Sequence, residues 1–281
     1  MAIRLGQNRY GKSRVRLLRA TRHDGWNEIK ELTLAISFEG DFETVHTKGD
    51  NSKVLPTDTI KNTVYALARK HPMKSAEDFA MNLIGHFFSK NEYVSRVRVD
   101  AVEDLWTRIL VDGKPHPSAF VRAGEEKRTA LLDGTRDGVA IRAGIMNLIA
   151  MKTADSAFEG FMRDAYTTLK EDRDRIMATS IRARWLYDGM AIAFDSTWEG
   201  VKSALLEAFA GHKSESLQHT LYAMGEAVLA KFGQIREIHL SLPNKHYNLL
   251  NLSPFGMENP AEVFLPTDEP HGLIEGTVQR D

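Results

Sequence analysis

The sequence contains no cysteine among its 281 residues. This absence excludes disulfide bonds, thiolate metal sites and thiol-based catalysis. An excess of charge of either sign is also lacking, because 37 lysines and arginines are mixed along the chain with 38 aspartates and glutamates. A general nucleic-acid binder or membrane-surface binder would carry a clear positive excess, so we expect neither partner for this chain.

Long apolar runs are missing as well. No segment approaches the roughly 18 consecutive apolar residues of a membrane-spanning helix, and residues 1–8 contain no apolar run of signal-peptide length. We therefore expect a soluble, cytoplasmic protein. Hydrophobic residues still make up 42% of the chain, which is enough to build a core in one large domain or two ordinary ones.

The common catalytic motifs are also absent. There is no Walker A pattern and no GxGxxG fingerprint opening a helix, so nucleotide hydrolysis and hydride transfer have no support from the sequence. The ten histidines show neither HxH nor HExxH spacing, and no cysteine is present to assist them. The usual kinds of zinc site are therefore not indicated.

Hydrophobic patterning predicts a ββααββ order in the first half of the chain. Residues 23–26 are a turn signal between two strand-like runs, and Ser75 is a good N-cap for a second helix. The predicted segments are strands near 14–22 and 26–38, helices near 59–69 and 75–87, and strands near 93–102, 104–111 and 118–132.

The second half repeats this order, with a capping segment at 195–199 before its first helix. Its predicted segments are strands near 139–152 and 179–194, helices near 196–210 and 214–231, and strands near 234–252 and 261–279. The repeat predicts an α+β fold with two domains, 1–135 and 136–281, each an antiparallel sheet with paired helices on one face. Assembly is one way to protect the edges of such sheets.

Four polar signatures resemble, in order and spacing, those of one family, urate oxidase (uricase): residues 9–12 (RYGK), 56–63 (PTDTIKNT), 158–169 (FEGFMRDAYTTL) and 242–247 (LPNKHY). The resemblance extends from Gly6 to Arg280. It implies tandem tunnelling-fold domains, two subunits closing a barrel, and two barrels stacking into a homotetramer with active sites at subunit interfaces. It also implies oxidation of urate by O2 and water to 5-hydroxyisourate and hydrogen peroxide, with no metal or organic cofactor.

The family uses a proton relay of a lysine, a threonine and a histidine, and the matching positions are Lys12, Thr57 and His246. Taken alone, these would be an exposed loop lysine, a helix N-cap and an ordinary strand histidine. Because a threonine hydroxyl is a weak acid, Lys12 would have to be neutral, which requires desolvation or nearby positive charge. Asp58 is expected to fix the Thr57 loop and to contact the ligand through its backbone.

The resemblance also implies how urate, a planar and mostly monoanionic heterocycle, would be bound. Phe158 matches the residue that stacks on the ring, and Arg175 matches an arginine whose rigid fork suits two acceptors. Gln218 matches a glutamine that presents a donor and an acceptor, beside a backbone N–H at Leu217. Asn244 matches a residue that, together with the threonine matched by Thr57, holds dioxygen or water above the ring in the family, and it would share a face with His246 if their strand is regular.

Two alternatives remain open. A cyclohydrolase or pterin synthase of the same fold would commonly need zinc, which the histidine spacing does not indicate. A non-catalytic purine-binding or assembly protein could have kept the pocket and lost turnover. The presence of Lys12, Thr57 and His246 argues against that second alternative, because stacking and Arg/Gln recognition do not need them.

Overall fold

A computed structural model of the chain describes residues 3–189 and 191–281. The strands are β1 (Tyr10–His23), β2 (Trp26–Gly40), β3 (Val94–Val111), β4 (Lys114–Thr135), β5 (Val139–Lys152), β6 (Met177–Tyr187), β7 (Ile235–Leu249) and β8 (Phe264–Gln279). The helices are α1 (Glu43–Lys48), α2 (Thr57–Lys70), α3 (Ala76–Lys90), α4 (Phe194–Gly211) and α5 (Leu217–Lys231), with a short 3₁₀ turn at Ser253–Phe255. The predicted α+β class and the repeated ββααββ order are confirmed.

The strands are hydrogen-bonded in chain order from β1 to β8, and the chain divides into two compact units between Gly144 and Ile145. No helix in the described part of the chain is long and apolar enough to cross a membrane.

In the first unit, β1 to β4 form antiparallel pairs, with Ile36 of β2 opposite Val99 of β3 and Val99 opposite Leu132 of β4. Alternate residues of β2, from Leu32 to Phe38, are almost completely buried, while the residues between them are half-exposed. This two-residue period gives the sheet one apolar face. Helices α2 and α3 bury their own apolar stripes at Ile60, Val64 and Leu67 and at Phe79, Leu83 and Phe87.

Two details of the first unit differ from the sequence prediction. The runs at 93–102 and 104–111 are parts of one strand, β3, whose pairing with β4 is interrupted by register shifts near Trp106 and Leu110. Helix α1 was not predicted, because its six residues are too few to show a helical period. The predicted cap at Ser75 is confirmed, since its Oγ accepts the Asp78 N–H at 3.0 Å.

In the second unit, β6 pairs with β7 and β7 with β8, again antiparallel. Trp185 on β6 is completely buried, and α4 and α5 bury apolar stripes that include Val201 and Leu205 on α4 and Met224 and Val228 on α5. Both stripes fall within the helices predicted near 196–210 and 214–231.

Two boundaries in this unit were predicted wrongly. Strand β6 ends at Tyr187, because the chain turns through Gly189 at φ +92°; the prediction of a strand to 194 also includes Met190, which lies outside the described residues. Helix α4 begins at Phe194 without a side-chain cap, so the expected capping segment at 195–199 lies inside its first turns. There the Ser196 hydroxyl donates to the Ala193 carbonyl at 3.2 Å.

Candidate active site

The backbone of β1 beside Lys12 packs closely against the backbone of β2. A Cβ atom on Gly11 would come within 1.9 Å of the Ile36 carbonyl oxygen, so only glycine allows this approach of β1 to β2. Lys12 pairs with Ile36, and the register then shifts before Val15, with Arg14 at φ +56°. Such a bulge turns the strand and re-aims the side chains beside it. The half-buried Lys12 side chain therefore has its direction set by backbone geometry on both sides.

Thr57 is the first residue of α2, and Pro56 occupies the N-cap position. The expectation that Thr57 itself caps this helix is wrong, because Thr57 already has helical geometry and the cap has no side-chain hydrogen bond. Its side chain is exposed. The hydroxyl is thus presented at the N-terminus of a helix without being part of the helix's own capping.

Asp58 is fixed by its own helix. Its carboxylate accepts hydrogen bonds from Lys61 Nζ at 2.6 Å and from Asn62 Nδ2 at 3.0 Å. The bond from Lys61 is the main cause that lowers the pKa of Asp58, and the charge of Lys12 also contributes. Lys12 is therefore close enough to the start of α2 for its charge to act there. We call Lys12, Thr57 and Asp58 the first half-site; all three lie in the first unit.

In the second unit, Phe158 and Arg175 are placed by backbone pairing. The Phe158 N–H donates to the Asp172 carbonyl at 2.7 Å, and the Arg175 N–H donates to the Ser156 carbonyl at 2.7 Å. These bonds lay the segment around Phe158 beside the segment around Arg175. The Arg175 guanidinium carbon lies 5.5 Å from the centre of the Phe158 ring, and Phe161 stacks on the same ring at 5.0 Å with an interplanar angle of 13°.

The Arg175 side chain is half-buried, and the desolvation of its guanidinium is only partly offset by nearby negative charge. Burial lowers the pKa of Arg175, and the charge of Asp172 opposes that effect only in part. Its Nε is buried, and no hydrogen-bond acceptor for it lies among residues 3–189 and 191–281. Since a buried donor without a partner costs roughly 1–3 kcal/mol, and more when charged, the arrangement favours a ligand that brings an acceptor to this guanidinium.

Leu217 and Gln218 open helix α5. Ser216 caps the helix by accepting the His219 N–H at 3.1 Å, which leaves the Leu217 N–H among the first-turn donors that have no acceptor inside a helix. The Leu217 side chain is buried, whereas that of Gln218 is exposed. Ser214, just before the helix, accepts the Ala157 N–H at 2.8 Å through its carbonyl. The start of α5 is therefore tied to the segment that carries Phe158.

Asn244 and His246 lie on β7. The register with β6 is continuous here, with Thr179 opposite Asn244 and Ala178 opposite Lys245, so the two residues occupy alternate positions of a regular strand, as the shared face requires. The irregularity is in β8, where Gly272 faces Asn244 but Thr267 faces His246. The four residues 268–271 of β8 therefore form a bulge opposite the single residue Lys245 of β7. Within this bulge, Asp268 forms an ion pair with Lys245 at 2.6 Å.

His246 joins Phe158 and Arg175 in one cleft of about 240 Å³, which Lys245 and Asp172 also line. Asn244, Leu217 and Gln218 are not among the residues that line this cleft. We call these six predicted residues, Phe158, Arg175, Leu217, Gln218, Asn244 and His246, the second half-site; all of them lie in the second unit.

Comparisons with known proteins decide the family. The uricase family model matches residues 8–133 and 141–275. The chain belongs to the uricase family. It is 46% identical to uricase from Arthrobacter globiformis, covering 99% of this chain and 90% of that protein, and 39% identical to uricase from Aspergillus flavus, covering 97% of this chain and 95% of that protein. The family resemblance predicted from the sequence, and the urate oxidase class with it, is confirmed.

Solved uricase structures agree with the fold. The crystal structure of uricase from Arthrobacter globiformis superposes with a TM-score of 0.95 at 46% identity, covering 100% of this chain and 96% of that one. Urate oxidase from Bacillus sp. TB-90 superposes with a TM-score of 0.86 at 23% identity, which shows the shared fold alone. The tunnelling-fold topology predicted for each unit is that of these uricase structures.

Sequence reasoning missed three contacts at the half-sites. These are the hydrogen bond of the Tyr10 hydroxyl with the Leu55 N–H, the stacking of Phe161 on Phe158, and the Lys245–Asp268 pair. Tyr10, Phe161 and Lys245 all lie within the family signatures, and this position marked them as candidates for the site. Their contact partners were not indicated by the sequence. In the described part of this uricase-family chain, no group of three or more His, Asp or Glu side chains is arranged to hold a metal ion.

Proposed function

We propose that the chain oxidises urate with O2 and water to 5-hydroxyisourate and hydrogen peroxide, and that it needs no metal or organic cofactor. The observation that carries the proposal is the half-buried Arg175 guanidinium, which lies near the Phe158 ring and has a buried Nε with no partner in the described residues. A flat anion with hydrogen-bond acceptors along one edge would stack on the Phe158 ring and also accept a hydrogen bond from Arg175 Nε. Membership of the uricase family supports urate as that anion.

In this proposal the second half-site holds the urate monoanion. Phe158 stacks on one face of the ring, with Phe161 behind it, and the Arg175 fork donates to two acceptors on the ring edge. Gln218 presents a donor and an acceptor from the start of α5, and the Leu217 N–H donates beside it. The positive end of the α5 dipole favours the negative charge of the ligand there.

Lys12, Thr57 and His246 then carry protons. Neutral Lys12 accepts a proton through the Thr57 hydroxyl, and urate becomes a dianion. The dianion gives two electrons to O2, which takes up two protons and leaves as hydrogen peroxide. Water held by Asn244 adds to the dehydrogenated urate and gives 5-hydroxyisourate. The protein contributes position and proton transfer.

We further propose that the two half-sites of one active site come from neighbouring subunits of a homotetramer. The relay residues Lys12 and Thr57 lie in the first unit, while the recognition residues lie in the second. The outermost strands, β1 and β8, expose large apolar side chains at Leu18, Leu265 and Leu273, and such edges are normally covered or paired. Assembly would close the sheets into the barrel of the tunnelling fold and join the half-sites.

The proposal is tested by following the loss of urate absorbance together with peroxide release. EDTA-treated wild type should consume urate and release one peroxide per urate, and Lys12→Met should be severely impaired while remaining folded. No turnover by the wild type would favour a purine-binding protein that lacks catalysis. Turnover that is lost on EDTA treatment and restored by a metal would contradict the cofactor-free mechanism. In size-exclusion fractions, a fully active monomer would contradict the shared site.

A further inference from the structure

Tyr10 links the two chain segments that form the first half-site. It lies two residues before Lys12 on β1, and its hydroxyl oxygen accepts the Leu55 N–H at 2.9 Å. Leu55 lies two residues before Thr57. One side chain therefore connects the strand that presents Lys12 to the loop that delivers Thr57, although 45 residues separate the two bonded groups.

The Tyr10 ring is held from two sides. It contacts Phe38 edge-on at 5.6 Å and Phe42 edge-on at 4.9 Å, and edge-on aromatic pairs fix the direction of a ring as well as its burial. Burial also raises the pKa of Tyr10, which keeps the hydroxyl neutral over a wide pH range. The hydroxyl is thus a fixed acceptor.

The bonded amide is the last one available before the helix. Pro56 has no N–H, so Leu55 carries the final backbone donor ahead of Thr57. The start of the same loop is held separately, since the Val54 N–H donates to the Asn51 carbonyl at 3.2 Å and Lys53 pairs with Asp41. The Leu55 bond therefore fixes the end of the loop from which α2 and Thr57 begin.

We propose that Tyr10 is a positioning residue that sets the distance between Lys12 and Thr57 and so controls the proton relay. This inference rests on the proposed function, because a Lys–Thr distance matters only if a proton passes between those groups. In the described part of the chain the side chain of Tyr10 contacts Phe38, Phe42 and Leu55, and none of these three is assigned to urate recognition. Removal of Tyr10 should therefore affect the chemical step and leave urate binding nearly intact.

The test is the Tyr10→Phe variant, which keeps the ring and removes only the hydroxyl. We expect kcat to fall by about tenfold or more, as small misplacements of reacting groups do, with KM nearly unchanged. Tyr65→Phe is the matched control, because Tyr65 is an exposed tyrosine of α2 whose hydroxyl makes a long 3.4 Å bond to the Arg16 carbonyl. It should behave as wild type.

Hydrogen exchange of the Leu55 amide tests the same contact without catalysis. Faster exchange at Leu55 in Tyr10→Phe, combined with lower kcat in a protein of unchanged oligomeric state, supports the inference. Unchanged kcat in Tyr10→Phe, beside an active wild type, overturns the positioning role while leaving the urate oxidase proposal in place. A purely structural role would lower the melting temperature and leave the kcat of the folded enzyme unchanged, and this result also overturns it. A wild type that does not oxidise urate overturns both proposals.

Discussion

Replacing Arg175 by lysine removes the guanidinium fork and keeps the positive charge, so the variant separates the effects of these two features on urate binding. Lysine keeps a cation at this position but has no Nε, the buried donor that lacks a partner in the described residues. A hydrogen bond to a charged group contributes about 1.5–3 kcal/mol. Since about 1.4 kcal/mol corresponds to tenfold, the loss of one such bond to urate should lower kcat/KM by roughly 10- to 100-fold, mainly through a higher KM.

The matched control is Arg173→Lys, two residues away. The Arg173 side chain is 88% exposed and pairs with Glu159 at 2.9 Å on the surface, where such pairs contribute little. Initial rates of urate loss over a range of urate concentrations give KM and kcat for both variants. If Arg175→Lys and Arg173→Lys both match the wild type within about twofold, which is only about 0.4 kcal/mol, the assignment of Arg175 to urate binding is wrong.

Two predictions concern the fold, each measured by urea denaturation at fixed protein concentration. Gly225→Ala should destabilise the protein by about 1–3 kcal/mol, because a Cβ there would lie 2.5 Å from a methyl carbon of Val278. Gly85→Ala, in open space on α3, should instead stabilise it by about 0.5–1 kcal/mol, and equal effects at the two sites would contradict the packing. Burial raises the pKa of Glu77 above its ordinary 4.5 despite the bond from Arg128 at 2.7 Å. The stability contribution of Glu77 is therefore complete below pH 4.5 and lost as pH rises through the raised pKa. Glu77→Gln cannot ionise, so its stability relative to wild type should increase with pH, and a pH-independent difference would show that the pKa is not raised.

Most of the fold could be predicted because its elements are long and regular. The buried alternation of β2 and the apolar stripes of α2, α3, α4 and α5 are local patterns that sequence spacing reveals directly. The errors fall where local signals are short or compete. Helix α1 has only six residues, and the Asp195–Glu199 segment resembles a cap although the helix begins one residue earlier.

The candidate site could be predicted only through the family resemblance. Lys12 and Gln218 are ordinary surface residues by spacing and composition alone, and a motif match is what singled them out. Their surroundings could not be predicted, because they depend on pairing between distant segments, such as Arg175 with Ser156 and Tyr10 with Leu55. No periodic pattern encodes such contacts.

The most direct test of the account is subunit complementation between Lys12→Met and Arg175→Lys, each of which damages one half-site. Each variant alone should be strongly impaired, whereas subunits that are unfolded and reassembled together should regain activity, because random assembly leaves roughly one site in four with both halves intact. Mixed tetramers that are verified by mass and are no more active than the two parents would show that both half-sites of an active site belong to the same chain, and would contradict the shared urate oxidase site.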